Sequence, residues 1–519
     1  MADTKREIER KYEATTRTGL PDLTRAAGVA SVTDEGVTEL DAVYYDTPDL
    51  RLAADALTLR RRTGGEDAGW HLKFPVASGI RDEIRAPLSD TLPRSLAGLL
   101  RSRVRDGEIV PVVRLRSSRD VRHLRDGDGT LLAELSVDTV HAEGLTRGGE
   151  AAWTEIEVEL ADDTDPAILD AVEKRLRKAG ILPSDSPSKL ARALAETGAG
   201  PEQDEGRDQA RGPESEATPV TPAAPGTAGA AVLSCVREQV DAIVAYDPAV
   251  RRDLPDAVHQ LRVACRRLRS AFKTYGRVLD REVTDPIGEE LKWLAGELGV
   301  ARDQEVLDER LRARLTDLPR TLVLGPVRAR LRRRDAAHGR SARRQALAAL
   351  DSARYLALLG TLDALLADPP LRKDAARDAR TVLARAVRKD HHRLAGRIGH
   401  ALSLESPGER DLALHEARKA AKRARYAAEA ARPTLGKPAK RLAKRVKAVQ
   451  TLLGEHQDAV VARGALRELG IQAHGAGESA FTWGLLYGHE EAAAEAAERE
   501  LPEVWARASA PELVAALTR

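Results

Sequence analysis

Residues 7–11 read EIERK, and residues 154–160 read TEIEVEL. In an extended chain, side chains two apart share a face. Glu7, Glu9 and Lys11 therefore lie on one face of the first stretch. Glu155, Glu157 and Glu159 lie on one face of the second, with Ile156, Val158 and Leu160 opposite. The apolar face has to pack on something, and for a single strand the charged face ordinarily meets water. Several such strands change the reading. LTLRRR (57–62) puts Arg60 and Arg62 on one face, and WHLKF (70–74) and TLLAELSVDTV (130–140) are further period-two runs. Acidic clusters stand on the first and last strands, and basic clusters stand between them. A sheet closed into a barrel with these faces inward would set carboxylates against guanidinium and ammonium groups. Carboxylates suit Mg²⁺ or Mn²⁺, hard cations that want oxygen ligands. Arg and Lys suit phosphate oxygens.

Working outward, PAILDAVEKRLRKAG (166–180) and SKLARALAE (188–196) read as helices, the first ending at Gly180. Residues 3 to about 195 thus form an α+β domain. Residues 199–230 are rich in Pro, Gly, Ala and acids and poor in large apolar residues, the composition of a flexible linker. From 231 to 519 the chain is Ala/Leu/Arg-rich with helical periodicity, which predicts a bundle of long helices.

The chain has 519 residues and a net charge of +2, but Arg and Lys crowd its C-terminal half. A basic half in a neutral chain points to a local polyanion partner. Two cysteines, Cys235 and Cys265, make neither a disulfide framework nor a metal motif, so reduced, cytoplasmic residence is expected. The start lacks an apolar signal region, and no apolar run is long enough to span a membrane.

The basic half contains a repeated line. HQLRVACRRLR (259–269) carries His259, Arg262, Arg266 and Arg269; HEARKAAKRAR (415–425) carries His415, Arg418, Lys422 and Arg425. Offsets of 0, 3, 7 and 10 fall along one helical face, and Lys273 extends the first line by a turn. Leu261, Val263, Ala264 and Leu268 supply the packing side. An ordinary solvated basic face would mix signs along the line; these lines hold no acid, and the pattern occurs twice. LKWLAGELGVARD (291–303) and VKAVQTLLGEHQD (446–458) recur in the same order, pairing Lys292 with Lys447, Gly299 with Gly454 and Asp303 with Asp458. The helical half is therefore expected to be an internal two-fold repeat. A linear polyanion needs only spaced cations, with counterion release driving affinity. Single-stranded nucleic acid would add aromatic stacking platforms. The lines hold none, and aromatic residues are 3% of the chain.

The ordered set EIERK, YYDTPDLRLAADALTLRRR (44–62), WHLKFP (70–75), RDEIR (81–85), SRDVRHL (118–124), LSVDTV (135–140), EIEVEL (155–160) and SPSKLARAL (186–194) resembles the CYTH superfamily, the triphosphate tunnel metalloenzymes. The resemblance implies an eight-stranded antiparallel tunnel over residues 1–198. It implies Mg²⁺ or Mn²⁺ on Glu7, Glu9, Asp138, Glu155 and Glu157, with Glu159 on the same face. It implies triphosphate on Lys11, Arg60, Arg62, Lys73, Arg81, Arg119 and Lys189, with Arg81 and Glu83 also supporting the tunnel. Glu7, Glu9 and Lys11 form the expected catalytic set. Arg114 and Arg116 have the opposite strand parity to Arg119, and His71 has no implied role. HQLRVACRRLRSAF (259–272) and, more loosely, HEARKAAKRARYAAE (415–429) resemble the CHAD domain, an α-helical domain often fused to CYTH. That resemblance implies inorganic polyphosphate on the two lines and on Lys292, Arg302, Lys444 and Lys447.

The expected function is a metal-dependent inorganic triphosphatase carrying a polyphosphate-binding helical module, cytoplasmic and associated with polyphosphate granules. A polyphosphate-binding scaffold with a weakly active tunnel is the alternative. Nucleotide cyclase chemistry ranks last, because no adenine pocket can be read. Nucleic acid and membrane are not expected partners.

Overall fold

A computed structural model describes residues 3–200 and 224–518; the side chains of residues 3, 300–303, 335–340 and 342 lie outside the described set. The chain divides into two compact units, Met1–Ser215 and Glu216–Arg519. Most of the expected linker, residues 201–223, lies outside the described residues, and the first helix of the second unit begins at Ala228.

The first unit is built on eight strands: β1 (Asp3–Ala14), β2 (Ser31–Asp46), β3 (Thr58–Thr63), β4 (Gly69–Ala77), β5 (Ile80–Pro87), β6 (Val110–Arg125), β7 (Leu131–Gly144) and β8 (Glu150–Leu160). They close in the order β1-β5-β4-β3-β2-β6-β7-β8, and every neighbouring pair is antiparallel. Four helices accompany them: α1 (Arg51–Ala54), α2 (Arg94–Val104), α3 (Ala167–Lys178) and α4 (Lys189–Glu196).

This barrel is apolar outside and charged along most of its inside; towards one end the inward face turns apolar, where Val113, Leu115, Val140 and Ala142 pack with Leu190, Ala193 and Leu194 of α4. Ile156, Val158 and Leu160 of β8 pack with Leu169, Val172 and Leu176 of α3. Leu59, Leu72 and Ile84 pack with Leu96, Leu99 and Leu100 of α2. Each such buried side chain is worth about 1.5–3 kcal/mol. With that energy gathered on the outer face, the alternate residues point inward. Gly180 follows α3 at φ +81°, the left-handed conformation that ends a helix cheaply. β2 carries no period-two signal in SVTDEGVTE, which is polar and largely exposed and bulges between Asp34 and Gly36. Its long pairing with β6 holds it in place.

The second unit is helical: α5 (Ala228–Arg251), α6 (Ala257–Thr274), α7 (Arg281–Glu297), α8 (Gly299–Asp317), α9 (Val327–Leu350), α10 (Ala353–Ala367), α11 (Ala379–Ser403), α12 (Pro407–Ala430), α13 (Arg432–Leu435), α14 (Lys437–Gly475), α15 (Phe481–Ala508) and α16 (Pro511–Ala515). The burial pattern repeats. Leu261, Ala264, Cys265 and Leu268 of α6 correspond to buried Ala417, Ala420, Ala421 and Ala424 of α12, whereas Val263 is only half-buried. Thr284, Ile287, Leu291, Leu294 and Leu298 correspond in the same way to Ala439, Leu442, Val446, Val449 and Leu453. Cys235 and Cys265 are both free. Among the described residues, no helix is long and apolar enough to cross a membrane.

Candidate active site and polyanion cleft

The barrel encloses a cavity of about 630 Å³ whose lining includes Glu9, Lys11, Arg60, Arg62, Lys73, Arg81, Arg119, Glu157 and Lys189. Strand register places the acids. Asp138 of β7 stands opposite Glu155 of β8, and Lys11 of β1 stands opposite Glu157. Asp138, Glu155 and Glu157 are all buried, and they present carboxylate oxygens within 4.8 Å of one another. Lys189, the first residue of α4, puts its Nζ among them, 3.0 Å from Asp138, 2.8 Å from Glu155 and 2.5 Å from Glu157. Arg119 donates two bonds of 2.8 Å to Asp138 and a third of 2.8 Å to Glu157. Trp153 Nε1 donates to Glu155 at 2.7 Å. This acidic group, already centred on an ammonium ion, has the donor chemistry for a hard divalent cation.

Glu7 and Glu9 lie outside that three-carboxylate cluster. Lys73 Nζ donates to Glu7 at 2.6 Å and lies 3.6 Å from Glu83. Lys11 lies 3.4 Å from Glu9 and also pairs with Glu157. Glu159 takes a 2.7 Å bond from Lys5. Arg60 approaches Glu83 at 3.7 Å, Arg62 pairs with Asp67, and Arg81 donates to the Pro187 carbonyl. Arg114 and Arg116 face away from the lumen in a separate groove; Arg114 Nε holds Asp41 at 2.9 Å.

Two residues gain roles that the strand pattern could not supply. Glu83, fully buried, accepts from the His71 imidazole at 2.8 Å and also pairs with Arg85, which makes it the hub beneath Lys73 and Arg60. His71 is placed with its other nitrogen 2.8 Å from the Asp67 carbonyl, so both ring nitrogens face acceptors. Tyr44 is buried; burial alone would raise its hydroxyl, but hydrogen-bonded Arg60 brings it below its usual range. His71 is legible as a lumen residue only through its parity with Lys73.

The electrostatics favour incoming anions. Burial pushes Lys11 down to about 8, with Lys189 and Lys73 adding to it against the pull of Glu9. Burial, Arg60 and Arg119 push Arg62 down to about 9. Burial alone would raise Asp138 and Glu155, but Lys189 holds both below the carboxylate range, aided by Arg119 and Lys11 respectively. The cations crowd one another in a partly dry lumen, so a phosphate relieves their repulsion as well as adding its own attraction.

In the second unit, α6 and α12 pack together, and Arg262 and Arg266 of the first basic line act on Lys422 of the second, so the two lines flank one basic strip, the candidate cleft. Arg262, Arg266, Arg269, Arg418, Lys422 and Arg425 are all half-buried there, and Lys273 is exposed. Burial, then Arg418 and Arg266, push Lys422 down to about 7. Both repeats use glycine alike. A Cβ on Gly299 would sit 2.9 Å from Arg262 Nη2, and one on Gly454 would sit 3.5 Å from Arg418 Nη2. The glycines let each arginine lie across the neighbouring helix, and Arg262 Nη1 donates to the Gly299 carbonyl at 3.2 Å. His415 Nδ1 lies 2.6 Å from Gln457 Oε1, and Asp458 lies 3.8 Å from Arg418. His259 is half-buried at the matching position. Lys292 is exposed and paired with Glu289 at 2.9 Å, whereas Lys444 and Lys447 are exposed on α14. The side chains of Arg302 and Asp303 lie outside the described residues.

Residues 5–194 match the CYTH domain family and residues 234–467 match the CHAD domain family. Two relatives from two strains of Mycobacterium tuberculosis, each described as an uncharacterized protein, are 38% identical over 511 residues, covering 95% of this chain and 94% of theirs. Among solved structures, PptA from Streptomyces chartreusis is 24% identical, covering 54% of this chain and 99% of its own, with a TM-score of 0.45. The CHAD domain from the plant Ricinus communis is 26% identical, covering 55% and 92%, with a TM-score of 0.43. The chain belongs to the family that joins a CYTH triphosphate tunnel to a CHAD helical domain. CYTH proteins bind triphosphate substrates and include triphosphatases and cyclases.

Proposed function

We propose that the first unit is a divalent-metal-dependent triphosphatase acting on tripolyphosphate or a related triphosphate, and that the second unit holds inorganic polyphosphate. One observation carries the reading: a closed lumen in which Asp138, Glu155 and Glu157 meet Lys11, Arg60, Arg62, Lys73, Arg119 and Lys189. Lys73, Arg60 and Arg62 receive the phosphate chain, with Glu83 and His71 holding their side chains in place. Arg119 and Lys189 steady the carboxylates and pass to phosphate oxygens as substrate enters. Mg²⁺ or Mn²⁺ held by Asp138, Glu155 and Glu157, with Glu9 on the adjoining wall, would offset charge developing on the transferred phosphoryl group. Water attacks the terminal phosphorus as the anhydride P–O bond breaks, and tripolyphosphate gives orthophosphate and diphosphate. Glu7 positions Lys73. A cytoplasmic protein associated with polyphosphate granules fits this pair of activities.

The test is phosphate release from tripolyphosphate, ATP, thiamine triphosphate and long-chain polyphosphate with Mg²⁺, with Mn²⁺ and with EDTA. We expect metal-dependent release, fastest on a triphosphate. If long-chain polyphosphate binds but no substrate is hydrolysed with either metal, the protein is a polyphosphate scaffold and the enzymatic reading fails.

The cleft makes a second expectation. Lys422 titrates near 7 in the free fold, far below about 10.4 for an ordinary lysine. Above pH 7 it is largely neutral, and a bound phosphate chain recharges it, so binding takes up a proton. Polyphosphate affinity at fixed ionic strength should fall about tenfold between pH 7 and pH 9, and Lys422→Arg should flatten that slope. By the same linkage, the unfolded chain holds this proton between 7 and about 10.4, so the lysine's contribution to stability improves as pH rises through that window. Parallel profiles for the parent and the arginine variant would show that Lys422 does not face the ligand.

A further inference from the structure

The repeat that shapes the cleft inverts its charge on one flank. At matching positions, α7 carries Glu282, Asp285, Glu289 and Glu290, whereas α14 carries Lys437, Lys440, Lys444 and Arg445. Thr284, Ile287, Leu291, Leu294 and Leu298 match buried residues of α14, so the backbone setting is shared; the charge differs at those four positions, while Lys447 matches Lys292, which on α7 is paired with Glu289. On α7 the acids are engaged: Asp285 with Arg281 at 2.7 Å, Glu289 with Lys292 at 2.9 Å, and Glu290 with Arg354 at 2.6 Å. Asp285 and Glu289 also share a cavity of about 500 Å³ with Arg269 and Lys273, the end of the first basic line. On α14 the four cations are exposed. The second line ends differently, with Arg425 3.4 Å from Glu429, which also takes Arg267 at 3.0 Å.

Position along α14 gives these lysines a direction. Lys440, Lys444 and Lys447 precede Gly454 by 14, 10 and 7 residues, spacings that keep one helical face. Gly454 is the point where Arg418 lies across α14, and Asp458 on the same face lies 3.8 Å from Arg418. The lysine line therefore runs along the helix surface straight into the basic cleft, over about 21 Å from Lys440 to Gly454. Arg441 and Arg445 lie around the helix from it. No aromatic residue occurs between 437 and 447, so a base-bearing strand would find no stacking platform.

We propose that Lys440, Lys444 and Lys447 form a one-sided track by which a polyphosphate chain longer than the cleft leaves it along α14, while the acidic face of α7 closes the opposite exit. This rests on the polyphosphate reading of the cleft and adds a direction and a chain-length preference to it. The track makes long chains bind more tightly than short ones, because only they reach it.

The experiment compares the full-length parent, Lys440→Glu/Lys444→Glu/Lys447→Glu, and a control that reverses three cations off the track, Lys437→Glu/Arg441→Glu/Arg445→Glu. Affinity is measured by calorimetry over a salt series for long-chain polyphosphate, a short oligophosphate and single-stranded RNA. The track variant should lose at least tenfold in long-chain affinity and about one unit of salt slope per lysine, collapsing the long-to-short ratio. The off-track control should change long-chain affinity less than threefold. Equal losses in both variants would reduce the effect to general electrostatics and overturn the track. Tighter binding of RNA than of polyphosphate by the parent would overturn the choice of ligand. Failure of the parent to bind any polyphosphate would sink the reading of the cleft itself, a result distinct from failure of the track.

Discussion

Glu157→Gln should release phosphate from tripolyphosphate at least about 100-fold more slowly than the parent with Mg²⁺, while binding the metal-free substrate as tightly or more tightly. Glu157 is the carboxylate where the two walls of the tunnel meet. It takes Lys11, Arg119 at 2.8 Å and Lys189 at 2.5 Å, and it belongs to the cluster with Asp138 and Glu155. Glutamine keeps the shape and one acceptor oxygen, so the β8 register and the apolar shell on α3 stay intact. What changes is charge. The divalent cation loses an anionic ligand, and three cations lose the carboxylate that competes with phosphate for them. The signature is therefore a fall in kcat without a rise in KM, with the melting temperature near that of the parent. A purely structural Glu157 would give the reverse: lower stability, with substrate binding and turnover declining together. Unchanged metal-dependent release would remove Glu157 from the chemistry.

Arg266→Glu/Lys422→Glu should weaken long-chain polyphosphate binding by about 100-fold or more at low salt and lower the salt slope by about two. The two residues belong to different repeats, 156 positions apart, and meet only because α6 packs on α12. Arg266 is among the charges that push Lys422 down. Reversing both converts the middle rung of each line from attraction to repulsion while leaving the buried alanine and leucine contacts alone. Either single reversal should cost less than half of the double loss in log units, because the remaining cation still reaches the same phosphates across the cleft. Binding within threefold of the parent by the double variant would mean that the polyanion does not use the cleft.

Much of the tunnel could be read locally. Alternation of charge with Ile156, Val158 and Leu160 put Glu155, Glu157 and Glu159 on one face, and the barrel keeps them there. The same parity separates Arg119, which points inward, from Arg114, which holds Asp41 outside. β2 was not legible as a strand because its first half is polar, largely exposed and bulged, so pairing with β6 rather than any internal pattern makes it extended. From the sequence, Glu83 is expected only to support the tunnel, and His71 has no implied role. Their importance lies in whom they touch: Arg60, Lys73 and Arg85 of β3, β4 and β5 reach Glu83, and His71 joins Glu83 to the Asp67 carbonyl.

By itself the sequence determined which residues share a face, because strand period two and helix period 3.6 are properties of the local backbone. That was enough to line up the carboxylates of β8 and to draw two basic lines on two helices. Only the tertiary structure decided that the charged strand faces turn inward, since closing the sheet depends on burying the outer apolar faces under α2 and α3, while α4 packs on the lumen face at Val113, Leu115, Val140 and Ala142. It also decided which three carboxylates gather around Lys189 and that the two basic lines share one cleft. The lysine line of α14 was present in the sequence as well. Its meaning depends on the packing of Arg418 across Gly454, a contact between residues far apart in the chain.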